Sequence, residues 1–215
     1  MCPSILDPDF NALPQEIPVF PLEGVVLLPR GDLPLNIFEL RYMDMVQGAL
    51  ASPTRLIGMI QPSENGLYQI GCAGRIIRFE ETHDGRYLIT LRGLCRFRTV
   101  EETTPSLGAY RRMKVDWRGF EHDMIKIGCL DIDRTRLLGM LKDYFTLQGL
   151  TLDWDMIAEI ADEGLMTSLA MVCPFEAAEK QALIEAPCCK SRANLFMNLL
   201  EMAICQHDPC CDKKH

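Results

Sequence analysis

IPVFPLEGVVLLPRGDLPLNIFELRYMDMV, Ile17 to Val46, changes period halfway, and its reading decides the fold. Residues 17–20 and 25–28 are short apolar runs rich in β-formers. Each is bounded by proline or glycine, so each reads as a strand closed by a turn. Residues 29–32 (PRGD) form the turn into a third strand-like run, 33–38. Phe38, Tyr42, Met45 and Val46 then recur at helical spacing, while Glu39, Arg41, Asp44 and Gln47 take other faces. The stretch predicts strand, strand, strand, helix. Pro18, Pro21, Pro29 and Pro34 predict short or edge-like strands, because proline cannot donate to a ladder. Phe38 and Tyr42 stand i, i+4 and are expected to pack together, with Glu39 favourable in the first turn, which makes the block scaffold.

Outward from this stretch the pattern stays β as far as Trp117. Residues 56–60 (LIGMI) read as a strand buried on both faces, and 62–66 (PSENG) as a loop. Ile77 and Phe79 alternate with Arg78 and Glu80. Asp84-Gly85 is a hairpin signal, and Tyr87, Ile89 and Leu91 alternate on the return. Gly93 is expected to break the run. Cys95, Phe97 and Thr99 then alternate with Arg96 and Arg98, and Met113, Val115 and Trp117 with Arg112, Lys114 and Asp116. Several strands at this spacing predict a small closed or half-closed barrel.

After Phe120 the period becomes helical. Leu137, Leu138, Leu141, Tyr144 and Phe145 predict a helix capped by Asp131 or Asp133 and ended at Gly149. Ile157, Ile160, Ala161 and Leu165 form a second stripe. Pro174 is expected to start a third helix that Pro187 stops, and Ser191 to cap a fourth carrying Leu195, Phe196, Leu199, Leu200 and Ala203 inward. The fold class is α+β, a β barrel followed by a helical bundle. The divisions are an extension at 1–16, the barrel at 17–118, helices at 119–204 and a Cys-rich tail at 205–215.

The chain has 215 residues, 48% of them hydrophobic, enough for a sizeable core. No apolar run reaches the roughly 18 residues of a membrane span, and the first residues lack the charged and apolar regions of a secretory signal. A cytoplasmic protein with no membrane partner is expected. The net charge is −8, yet residues 72–118 hold ten basic and six acidic side chains. The overall acidic charge disfavours nucleic acid as a partner, while the basic band is what an RNA-binding alternative would rest on. Among ten cysteines, Cys72, Cys95, Cys129 and Cys173 sit singly among apolar residues and read as small buried hydrophobes.

Candidate chemistry is sparse. No G-x-x-x-x-G-K-[ST] and no G-x-S-x-G occurs. His83 reads as a turn residue, and His122-Asp123 as an exposed polar pair at a helix entry. Glu80-Glu81 and Glu101-Glu102 are strand neighbours on opposite faces, so neither pair is a carboxylate dyad. Cys205, His207, Cys210 and Cys211 or His215 are residues that zinc accepts, but C-x-H-x-x-C-C is no established zinc spacing and the tail reads as frayed. Cys188-Cys189 reads as an inert helix connection. No metal, cofactor or catalytic residue is assigned.

P-V-F-P-L, V-L-L-P and L-P-L-N-I-F-E-x-R-Y-x-x-M together resemble the opening of the Lon protease N-terminal domain. I-G-x-x-G-x-I (70–76), D-G-R-Y (84–87), G-x-x-R-F-R (93–98) and the segment 169–186, with K-Q-A-L-I-E, continue the likeness. The resemblance implies a PUA-like pseudo-barrel and the recognition part of the family without its ATPase and Ser/Lys peptidase. The implied function is noncatalytic recognition of unfolded or degron-bearing polypeptides in proteolysis or quality control, with a protease or chaperone as working partner. The alternatives are RNA binding through the barrel and regulation of a partner protease. Recognition of unfolded chains needs apolar surface left uncovered. The expected contacts are Phe20 and Leu22 around Pro21, Leu67 and Tyr68 after the polar loop, and Trp117 and Phe120 at the barrel–bundle junction.

Overall fold

The computed structural model describes residues 8–103, 110–125, 132–149, 151 and 154–207. After a 3₁₀ turn at Phe10–Ala12 come β1 (Glu16–Pro21), β2 (Asp32–Ile37), α1 (Leu40–Ala51), β3 (Leu56–Ile60), the short pair β4 (Pro62–Ser63) and β5 (Gly66–Leu67), β6 (Ile70–Glu81), β7 (Tyr87–Thr103) and β8 (Arg111–Asp116). The helices α2 (Arg134–Leu147), α3 (Trp154–Glu159), α4 (Asp162–Val172), α5 (Ala177–Glu185) and α6 (Cys189–His207) follow.

The long strand β7 is the axis of the sheet, whose order is β2-β7-β6-β3-β1-β8. Its first part pairs with β2 and its last part with β8, while β6 runs along its other edge. β8 pairs with β1, β1 lies parallel to β3, and β3 pairs with β6. The pairings thus come round to β7 again. The result is a pseudo-barrel, with β2 hung on β7 as an edge strand. Pro34 sits on that edge, as its missing N–H requires. Pro18 and Pro21 do not make β1 an edge. β1 changes partner at Val19, with Glu16 to Val19 on β8 and Val19 to Pro21 on β3, so each proline faces a single neighbour.

Two strand expectations are corrected. Residues 25–28 form no strand. Val26, Leu27 and Leu28 are buried as an irregular segment whose apolar side chains fill the core without a ladder partner. Gly93 does not interrupt β7. Its bareness lets residues 28–31 lie against the strand, with Arg30 N–H donating to Gly93 O at 2.7 Å and Gly93 N–H to Gly31 O at 2.8 Å. The hairpin at Asp84-Gly85 forms as expected, with Gly85 at φ +80°. Beyond Ile76 the outer part of β6 is exposed on both faces rather than alternating.

The helices depart from their stripes at the ends. Asp133 caps α2, its carboxylate accepting from Arg136 N–H at 2.9 Å, and Gly149 leaves it at φ +65°. The second stripe is two helices, because Ala161 is extended and Asp162 and Glu163 begin α4 afresh. Pro174 precedes α5 instead of starting it. Glu176 takes the cap position, and its N–H donates to the Glu179 carboxylate at 2.9 Å. α6 begins two residues before Ser191, whose N–H donates to Cys188 Sγ at 3.5 Å. The capping alternative Asp131, the thiol of Cys129 and tail residues 208–215 lie outside the described residues.

One apolar cluster runs through both halves, joining Leu27, Met45 and Leu91 to Leu137, Phe175 and Phe196. A second, around Ile17, Phe97 and Trp117, fills the barrel. Each fully buried Leu or Phe stabilises by about 1.5–3 kcal/mol. Cys72, Cys95 and Cys173 are buried in these cores, as their neighbours predict.

Polar side chains bolt the bundle to the barrel. Arg96 on β7 is 1% exposed. It reaches Asp123, Ile184 O at 3.0 Å and Ala186 O at 2.6 Å, and its guanidinium lies 4.9 Å from the Phe120 ring centroid. His122-Asp123 is therefore no exposed polar pair. Asp123 is buried under the bundle, and His122 Nε2 lies 3.1 Å from Pro187 O. Lys180 Nζ donates to Gly24 O at 2.9 Å. Gln61 donates to Ala177 O and to Gln181, which itself donates to Ile70 O at 3.1 Å.

Candidate functional site

A surface that recognises unfolded chain must show apolar groups to solvent. Where β2 passes into α1 the described residues show two such groups close in sequence, Phe38 (64% exposed) and Leu40 (80% exposed), while Val100 and Val172 are exposed singly elsewhere. Glu39 between them is the N-cap and is extended. Phe38 consequently stands outside the helix, and its i, i+4 pairing with Tyr42 does not form. Tyr42 stacks instead on Phe20, with ring centroids 4.3 Å apart. Leu40 begins the helix on the side of Asp44 and Gln47, away from the buried Met45, Val46 and Ala49.

Sheet register brings further apolar groups to this end. Ile37, next to Phe38, pairs with Tyr87, which pairs across β7 with Glu81. Phe79 lies opposite Ile89, and Leu88 opposite both Asn36 and Glu80. Phe79, Leu88 and Ile77 are each about two-fifths exposed. The Phe79 ring meets Tyr87 edge-on at 5.0 Å, and the Tyr87 hydroxyl accepts from Gln47 Nε2 at 2.6 Å, which ties α1 to the hairpin. Mixed charges border the patch, with Arg41 paired to Glu39, Arg86 to Asp84 and Arg78 to Glu80. A hydrogen bond from the Thr82 hydroxyl, aided by Arg86, lowers the Asp84 carboxyl. Phe79 and Leu88 stand at successive registers and so point to opposite faces of the hairpin, which gives this end apolar groups on both sides.

The residues expected from the sequence fall into two sets. Phe20, Trp117 and Phe120 are buried, at 8–9% exposure, which corrects the expectation that they lie uncovered. Phe20 is covered by Tyr42. Trp117 packs on Phe97 and donates its indole N–H to Pro14 O at 2.9 Å, and Phe120 sits beneath Arg96. Leu22, Leu67 and Tyr68 are half-buried. Leu22 N–H donates to Ile60 O and Tyr68 N–H to Gln61 O, so Leu22 and Tyr68 share the far ends of β1 and β3. Leu67 packs against the buried cluster that contains Trp117 and Phe120, whereas Leu22 packs against the other cluster, with Phe20, so the expected residues divide between two cores and do not line one groove.

The basic band is not an open cationic face. Eight of its ten cations hold a carboxylate within 4 Å, among them Arg111 with Glu102, Arg112 with Glu16 and Lys114 with Glu101. Glu101 and Glu102 are thereby committed to separate cross-strand pairs. Their hydrogen bonds from Lys114 and Arg111 lower both carboxyls. No group of three or more His, Cys, Asp or Glu among the described residues could hold a metal ion, and no described helix is long and apolar enough to cross a membrane.

Comparison with known proteins agrees with this architecture. Residues 16–202 match the family model of the ATP-dependent protease La (LON) substrate-binding domain. Lon protease 2 of Myxococcus xanthus is 25% identical over 201 residues, covering 87% of this chain and 24% of that protein. Lon protease of Dictyoglomus thermophilum is 31% identical over 113 residues, 48% of this chain and 14% of that one. The chain thus spans no more than about a quarter of these relatives. Among solved structures, the Lon N-terminal domain protein from Xanthomonas campestris superposes with a TM-score of 0.58 at 22% identity, over 85% of this chain and 97% of that one. The N-terminal domain of Mycobacterium avium complex Lon protease gives 0.61 at 16% identity, over 90% and 100%. The two structures share the α+β fold, and the matched family is the substrate-binding part rather than the ATPase or peptidase. With the match running through both barrel and bundle, the chain belongs to the Lon substrate-binding domain family.

Proposed function

We propose that this chain recognises unfolded or degron-bearing polypeptides without catalysis, through the apolar end formed by Phe38, Leu40 and the β6–β7 hairpin, and delivers them to a protease or chaperone in the cytoplasm. The exposure of Phe38 and Leu40 carries this reading. Two large apolar side chains flanking a helix cap contribute little to folding, and contact with a partner gives them a use. Leu22 and Tyr68, half-buried at the ends of β1 and β3, offer a second, smaller contact for an extended client. The paired charges of the middle segment do not favour the RNA reading.

The test is a fluorescence titration of an unfolded, carboxymethylated polypeptide against wild type, Phe38→Ser, Leu40→Ser and Tyr68→Ala, with circular dichroism as the folding control. Loss of an anchor should weaken binding by about 1–2 kcal/mol. Unchanged affinity in folded Phe38→Ser and Leu40→Ser would remove this surface from consideration. A labelled RNA of similar length should bind more weakly than the polypeptide. The purified protein should neither hydrolyse ATP nor cleave casein.

A further inference from the structure

One hydrogen bond decides which backbone groups β2 leaves free. Gly93 N–H donates to Gly31 O at 2.8 Å. With Asp32 opposite Arg92 and Leu33 opposite Leu91, that bond sets the phase of the ladder. Leu33, Leu35 and Ile37 therefore turn their N–H and C=O groups to β7, while Asp32, Pro34 and Asn36 turn theirs away. β2 ends the strand order, so among the described residues no strand meets this edge. Asp32, Pro34 and Asn36 are all exposed. The edge offers the carbonyls of all three and the N–H groups of Asp32 and Asn36, because proline has none.

An open edge is a template for another chain, and folds usually blunt it. The outer edge of β6 is blunted in this way. Its register shifts between Ile76 and Arg78, and Glu80 and Glu81 follow. β2 differs, since its pairing with β7 runs from Asp32 to Ile37 without a shift. Its one acid, Asp32, is neutralised by Arg92 at 2.8 Å. Leu33 and Leu35 are half-buried against the main core, which leaves apolar surface at alternate positions along the edge. At its far end β2 runs into the exposed Phe38.

We propose that an extended segment of a client polypeptide adds to β2 as a further strand, with apolar side chains at alternate positions beside Leu33 and Leu35. Hydrogen-bond complementarity selects this occupant. The edge has more acceptors than donors, so it fits a chain that brings an N–H to the Pro34 carbonyl. A second copy of β2 brings the same missing N–H, and the symmetric register would set Pro34 against Pro34. In an antiparallel addition, the client residues bonded to β2 share the outer face with Pro34. The residues between them lie beside Leu33 and Leu35. The added strand presupposes that the chain binds unfolded polypeptide, and it supplies backbone pairing next to the side-chain contacts at Phe38.

The experiment titrates a fluorescein-labelled peptide, Lys-Thr-Val-Thr-Val-Thr-Val-Lys, against the protein by anisotropy. Two further copies carry N-methyl groups on all threonines or on all valines, so each has one edge blocked. One copy should lose about tenfold or more in affinity, and the other should bind as the parent does. Loss with the threonines methylated assigns an antiparallel strand, and loss with the valines methylated a parallel one. Pro34→Ala returns an N–H to the edge and should tighten binding about threefold. Asn36→Pro removes one and should loosen binding about threefold. Equal effects of the two methylated sets, or an affinity unmoved by Pro34→Ala, overturn the proposal. So does a protein dimer, seen by sedimentation velocity, that the parent peptide dissociates, since the edge then belongs to a second copy. A parent peptide that does not bind also overturns it, while the carboxymethylated polypeptide still decides the Phe38 surface. The peptides and Pro34→Ala stand even where Asn36→Pro does not fold.

Discussion

Arg96 grips both carboxylate oxygens of Asp123, through Nε to Oδ2 at 2.8 Å and through Nη2 to Oδ1 at 2.9 Å, while its own backbone N–H donates to the same Oδ2 at 3.0 Å. The two residues are 27 positions apart and both lie out of water. Removing one partner strands the other as a buried charge. Asp123→Ala should therefore destabilise the protein by about 3–5 kcal/mol in urea unfolding. Arg96→Met with Asp123→Leu should cost less than Asp123→Ala alone. A double variant weaker than the single would show that the pair stabilises by more than mutual neutralisation.

Two glycines should answer alanine in opposite ways. A Cβ at Gly93 would sit 2.0 Å from Leu28 O, a backbone atom that cannot swing aside. Gly93→Ala should cost about 3 kcal/mol. Gly139, exposed within α2, has nothing within 4 Å of its Cβ position. Gly139→Ala should stabilise by about 0.5–1 kcal/mol through helix propensity. Thermal midpoints of the two variants on opposite sides of wild type are the expected result.

Alkali should weaken the fold from about pH 9 upward. Burial, and then the Asp123 charge, pushes the Cys72 and Cys95 thiols up, and burial takes Cys173 up to about 12. Burial likewise raises the Tyr144 hydroxyl to about 12. An unfolded thiol loses its proton near 9.0, so above that pH the native chain holds more protons than the unfolded one. Stability is level below pH 9 on this account and falls as pH climbs towards 12. Lys180 works the other way, since burial lowers its pKa below 10.5, but it is one group against four. Urea midpoints at pH 8, 9, 10 and 11 check the sign. A midpoint that rises across this range contradicts it.

Phe38→Ser and Leu40→Ser should separate stability from binding. Both side chains stand in solvent, so their loss should change unfolding free energy by no more than about 0.5 kcal/mol. Phe196→Ala, at a site with 0% exposure, should cost about 3–5 kcal/mol. Differential scanning fluorimetry of the three variants tells whether the apolar corner is scaffold.

Much of the barrel was legible because alternation and turn chemistry are local. The Asp84-Gly85 hairpin and the inward row Tyr87, Ile89, Leu91 stand where the pattern put them. Residues 25–28 misled because an apolar run declares burial but not pairing. Arg96 misled because alternation correctly assigns it to the face away from Cys95, yet α5 and the start of α6 cover that face. At the candidate surface, extending the helical period back to Phe38 ignored the cap at Glu39. The available signal was Leu40, aligned with Asp44 and Gln47 on the polar side of α1. Phe20, Trp117 and Phe120 were buried by tertiary partners that no local pattern reveals.

The change of partner along β1 also orders events during synthesis. Residues 19–21 lie against β3 at Gly58–Ile60, but Glu16 to Val19 have no ladder partner until Lys114 to Arg111 have been made. While the ribosome adds that intervening length, the N-terminal half of β1 is an unpaired edge open to other chains. Sheets joined over such separations form slowly. A chaperone that shields this nascent segment should raise the yield of folded protein more than one that binds after release.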